Sequence, residues 1–221
     1  MIFKNLLILG VPKLRNLKLI DHEITLPVYF FKNRNQLEKL DIEASKSINL
    51  KPDTFYGLNN LTHLKLSAQL VRNLTPNIFS SLFNLREFTL KNSNINLLPS
   101  EIFQNLKNLE FIKLTENANI TEVPSTFLAN KVNLAHVELT FNGIEKLHED
   151  IFLYSDNIET ILLNNNKLTY LPANIFKGQM SLREVNLSCN HLNSLPDYIF
   201  SNLLSLTNAD LSYNRIQRIN E

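Results

Sequence analysis

In LREVNLSCNHLNSLPDYIF, residues 182–200, a thiol and an imidazole stand two positions apart at Cys189 and His191. Such a pair can contribute two ligands to zinc, or a nucleophile and its base. Either chemistry needs more: zinc takes four ligands, and a nucleophile needs partners held beside it in a water-restricted pocket. Cys189 is the single cysteine, and the remaining histidines, His22, His63, His136 and His148, are spread along the chain. With four glycines in 221 residues there is no glycine-rich phosphate loop, and no Gly-x-Ser-x-Gly elbow occurs. The residues therefore predict no enzyme, no metal and no cofactor. What the pair means depends on the elements that carry it.

The stretch is one copy of a repeat. The segment 24 residues upstream, IETILLNNNKLTYLPANIF, matches it at every apolar position, and so do LAHVELTFNGIEKLHEDIF and LREFTLKNSNINLLPSEIF. Nine units start at residues 14, 37, 61, 85, 109, 134, 158, 182 and 206, each 23 to 25 residues after the last. Repetition at such a period means a stack of like coils. In VNLSCN, Val185 and Leu187 face one way and Asn186 and Ser188 the other, the alternation of a strand with one buried face. A single unit cannot cover its own apolar side, so neighbours must stack into one continuous core.

The pattern LxxLxLxxNxLxxLPxxxF resembles the leucine-rich repeat family in its 24-residue form. The resemblance implies an α/β-type repeat solenoid, a horseshoe with short parallel strands on its concave face and a mostly irregular, turn-built convex side. Residues 14–221 form that domain, and residues 1–13, with the apolar run LLILGV, read as an irregular lead-in or a partial repeat. The likeness is greatest to extracellular members: Toll-like receptor ectodomains, insect immune repeat proteins, adhesion and guidance receptors, and the non-catalytic subunit of carboxypeptidase N. It implies a recognition segment of an innate-immune receptor or secreted immune protein at or outside the cell surface. An adhesion, guidance or matrix protein and a regulatory subunit of a secreted hydrolase are the alternatives. Extracellular members usually close both ends with disulfide caps. One cysteine cannot supply them, so the chain reads as a segment of a longer receptor, or as a solenoid whose ends a partner covers.

Phenylalanine marks the return side of most units, at Phe31, Phe55, Phe79, Phe103, Phe127, Phe152, Phe176 and Phe200, and should stack into a spine. Asn117, Asn142, Asn166, Asn190 and Asn214 share one position, where a carboxamide can supply both a donor and an acceptor to a buried turn. The first four units hold His22, Ser45, Gln69 and Ser93 there, which predicts a more irregular amino-terminal half.

Strand positions that face away from the core have no packing duty and are free to specify a ligand. Most carry mixed polar and charged residues. The exception is central, where Phe111, Phe141 and Leu162 stand among Lys113, His136, Glu138, Thr160 and Asn164. Large apolar groups beside a few charges on a rigid surface suit a protein interface, so these eight residues are the candidate partner-binding set.

The net charge of +1 gives no bulk attraction to nucleic acid or anionic lipid. The partner expected is a protein or a pathogen-derived ligand, with homo- or heterodimers compatible and a membrane reached only through segments outside this sequence. Sequons at Asn60, Asn73, Asn119 and Asn186 number no more than the roughly four that 32 asparagines and 27 serines and threonines give by chance.

Overall fold

Nine parallel strands follow one another in chain order across a single sheet. They are β1 (Asn16–Thr25), β2 (Lys39–Asn49), β3 (His63–Arg72), β4 (Glu87–Lys91), β5 (Phe111–Thr115), β6 (His136–Glu138), β7 (Thr160–Leu162), β8 (Glu184–Asn186) and β9 (Asn208–Asp210). Each begins two residues after the start of its repeat unit. The computed structural model describes residues 11–72 and 74–217. Most of the lead-in segment, with all of LLILGV but Val11, and the sequon residue Asn73 lie outside those residues.

The alternation within strands sets the core. In β5, Ile112 and Leu114 are buried between the outward-facing Phe111, Lys113 and Thr115. On the return side the rings of Phe31, Phe55, Phe79, Phe103 and Phe127 make successive contacts at centroid separations of 4.7 to 6.4 Å, and Phe176 meets Phe200 at 6.0 Å. Most of these separations exceed the ~4.8 Å between paired strands. That inequality suits a stack curved with its sheet inward.

The solenoid has the parallel sheet but not the helices of an α/β fold: among the described residues the return side is built of turns. Its backbone explains this. Tyr29, Asp53, Asn130, Tyr154 and Tyr198 sit at φ of 57 to 59°, in the left-handed region that interrupts a right-handed helix. At Gly57, φ is 95° and an added Cβ would lie 2.8 Å from the Phe31 carbonyl oxygen, so the turn is closed to larger residues.

The asparagine column is a ladder of bonds between coils. The Oδ1 atoms of Asn117, Asn142, Asn166, Asn190 and Asn214 accept backbone N–H groups of the preceding coil at 2.9 to 3.2 Å. Their Nδ2 groups donate to the carbonyls of Leu90, Leu114, Leu139, Leu163 and Leu187 at 2.7 to 3.2 Å. Where the asparagine is missing, the first strands differ from the rest: they are longer, and their register is irregular. β1, β2 and β3 run on for 10, 11 and 10 residues, with register shifts at Asp21/Glu23 and Ala44/Ser47, whereas β6 to β9 have 3 residues each. A buried backbone must be paired with something. At the turns that hold His22 and Ser45 in place of asparagine, β1 keeps pairing with β2 and β2 with β3 through a bulge.

One interior column breaks its own rule. Leu58, Leu82 and Leu106 fill it in three successive coils, yet the equivalent residues elsewhere include Arg34, Lys131, Ser155 and Gln179, all buried.

Candidate functional site

Parallel register sets the outward residues in rows across the sheet. One row runs Phe111, His136, Thr160, Glu184 and Asn208, and the next Lys113, Glu138, Leu162, Asn186 and Asp210. Six of the eight candidate residues therefore occupy adjoining places on β5, β6 and β7. Phe141 and Asn164 lie just past the ends of β6 and β7.

Phe111 is 39% exposed and Phe141 54%, while Leu162, Lys113, His136, Glu138, Thr160 and Asn164 are half-buried. The Phe111 and His136 rings lie 5.8 Å apart. Lys113 Nζ stands 3.3 Å from Glu138 Oε2, so the central charges are paired with one another. Two neighbours are more enclosed than the alternation predicts: Thr140 is 5% exposed and Ser188 7%. Ser188 donates its hydroxyl to Asn186 Oδ1 at 2.7 Å, which closes that sequon into its own turn.

Burial, and next the nearby Lys113 ammonium, hold the His136 imidazole below its ordinary pKa, against an opposing pull from Glu138. The folded state thus binds its proton less readily than the unfolded chain does. Stability contributed by this histidine is present above the unfolded value of ~6.5 and declines as pH falls from there through the folded midpoint. Following the imidazole ring protons by NMR should give a midpoint below that of a free histidine, moving upward in Lys113→Met. A midpoint at the free-histidine value would show that the ring is solvated.

The position before the ladder residue has a backbone duty that its varied side chains conceal. Asn92, Glu116, Phe141, Asn165, Cys189 and Tyr213 all adopt φ of 53 to 59° there. Asparagine tolerates that region and phenylalanine does not, so Phe141 is held in a strained conformation with its ring exposed.

Cys189 is a half-buried free thiol, and among the described residues no three His, Cys, Asp or Glu side chains are placed to hold a metal ion. The amino-terminal part of the sheet face is charged instead. Lys18 and Lys65 interleave with Asp41 and Glu43 at 2.5 to 3.7 Å, and a depression of about 370 Å³ is lined by Lys18, Asp41 and Lys65 and reaches His63 and Glu87.

A second asparagine column went unread in the sequence. Asn84, Asn108, Asn133 and Asn157 each donate to a backbone carbonyl of the preceding coil, at 2.7 to 3.3 Å. The recurring Asn-Leu or Asn-Ile pair that opens these units is its signal.

Residues 24–159 and 118–221 match the BspA-type leucine-rich repeat region in its six-copy form. No curated protein matches the chain. Among solved structures it resembles Drosophila Toll in the Toll–Spatzle complex, with a TM-score of 0.85 and 25% identity over 92% of this chain and 27% of that one. It resembles TLR13 in complex with ssRNA13 at 0.77 and 26%, over 90% and 29%. A repeat protein of Leptospira interrogans matches at 0.74 and 25%, over 96% and 58%. The chain thus spans between about a quarter and three fifths of these relatives. No described helix is long and apolar enough to cross a membrane.

Proposed function

The chain belongs to the leucine-rich repeat family, in its BspA-type form, and from that premise we propose that it is a non-catalytic recognition segment of an extracellular innate-immune receptor of the Toll-like kind, or of a secreted immune repeat protein. Its ligand is a protein or a pathogen-derived molecule, taken on the sheet face over β5, β6 and β7. The observation that carries this reading is the exposure of Phe111 and Phe141 on a surface with no core to serve. Toll and TLR13, at 25% and 26% identity, supply the receptor part of the reading, each being seen with a ligand of its own. A protein suits this face better than a polyanion does. Lys18, Lys65, Lys91 and Lys113 each sit within 3.7 Å of a carboxylate, which leaves no basic stripe for phosphates.

Phe141→Gly tests the face cleanly. It removes an exposed ring and also relieves a left-handed backbone, so thermal melting should show a gain of about 1 kcal/mol. A photo-crosslinker at position 113 should capture a ligand from extracts of the source organism that one at position 177, on the return side, does not. In Phe141→Gly that capture should fall by the equivalent of about 2 kcal/mol, the scale of an aromatic hot spot. Equal capture at both positions would sink the assignment.

A further inference from the structure

Charge is distributed unevenly along the sheet face. In the coils of β3 to β5 the outward lysines Lys65, Lys91 and Lys113 are each matched by a carboxylate. In the outward rows from β6 to β9 there is no lysine or arginine. There Glu138 is matched by Lys113 of β5, but Glu184 and Asp210 form no ion pair with a described lysine or arginine. Asp210 is fixed in place by the Ser212 N–H, 2.9 Å from its Oδ1, and hydrogen bonds from Ser212 hold its carboxyl below the ordinary aspartate range. Glu184 shares its row with Phe111, three strands away, and Asp210 shares its row with Leu162, two strands away.

At ~4.8 Å per strand these separations are roughly 14 and 10 Å, which an extended peptide crosses in about three to five residues. We propose that the segment bound here is an extended stretch of a protein with an aromatic or aliphatic anchor against Phe111 and Leu162, followed about three to five residues later by a lysine or arginine over Glu184 and Asp210. This rests on the sheet face being the ligand face. The two carboxylates supply the electrostatic half of recognition, which acts through encounter rate and salt dependence. Covering them with an apolar or acidic ligand would strand two charges, and a cation removes that cost.

Random peptides displayed on phage and selected on the whole chain provide the probe. The enriched peptides should carry a large apolar residue and a basic residue at that separation. A synthetic copy of one should bind more weakly as salt is raised. Glu184→Gln with Asp210→Asn, shown by melting to be folded, should weaken it about tenfold and flatten the salt dependence. Peptides without the cation, no enrichment, an unchanged affinity in the double variant, or displacement of the peptide by single-stranded RNA would each overturn the inference. Phe111→Ser separates the two levels. If it abolishes binding while the double variant does not, only the cation is wrong. If it changes nothing either, the sheet face is not the ligand face.

Discussion

Lys131→Leu is expected to stabilise the solenoid by about 3 kcal/mol at neutral pH, read from urea denaturation. Lys131 is 2% exposed, in a column where Leu58, Leu82 and Leu106 are fully buried. Among the described residues its ammonium has a single hydrogen-bond acceptor, the Ala129 carbonyl at 3.3 Å. Burial, and secondarily repulsion from Lys107, bring its pKa down to about 8. The unfolded chain holds that proton up to ~10.5. Below pH 8 both states are protonated and the folded state carries the full cost of a buried ammonium. Between 8 and 10.5 the unfolded state binds more protons, so wild-type stability should climb with pH across that window. The leucine variant should lack the climb. A variant no more stable than wild type at pH 7, with the climb retained, would mean that the ammonium reaches water. The turn does not depend on the ammonium, since the Lys131 backbone N–H donates to Ser155 Oγ and Ser155 to the Leu128 carbonyl.

The opposite change of comparable size is expected at Asn166. Its carboxamide accepts the Ile144 N–H at 3.2 Å and donates to the carbonyls of Leu139 at 2.7 Å and Leu163 at 3.0 Å. Alanine would leave the first two of these groups buried and unpaired. At about 1–3 kcal/mol for each orphan, the loss is about 2–6 kcal/mol, visible as a lower urea midpoint. Aspartate separates the two halves of the role. It keeps the acceptor, loses both donations and sets a carboxylate against carbonyl oxygens, which raises its folded pKa. Asn166→Asp should therefore gain stability relative to wild type as pH falls through that raised value. An alanine variant within 1 kcal/mol of wild type would show that water replaces the carboxamide.

Much of the architecture could be read from spacing. The nine unit starts place every strand, because an apolar alternation that must be buried on one side leaves little choice of register. They also place Phe111, His136 and Thr160 side by side, since register fixes which outward residues are neighbours. What spacing could not show depends on backbone φ or on the coil next door. The turn-built return side follows from the resemblance, but which residues make its turns does not: Tyr29 and Tyr198 are left-handed, and neither residue type announces that. The strand lengths of β1 to β3 escaped notice because Ser45 and Gln69 look like weakened turns, not places where pairing continues. Phe141 and Cys189 looked unconstrained because the constraint lies on the main chain. Lys131 was invisible for a different reason: a lysine in an interior column is ordinarily assumed to reach the surface.

The contrast between an 11-residue β2 and a 3-residue β9 also has a mechanical side. Each coil touches only its neighbours, so the stack behaves as a spring whose turns are fastened by unequal clasps. Under tension along the solenoid axis, the coils of β6 to β9 should part at lower force than those of β1 to β3. The exposed rings of Phe111 and Phe141 lie close to where the stiff portion gives way to the compliant one. A ligand spanning β5 to β8 would brace that junction, and its arrival would be felt as a change in the stiffness of the molecule.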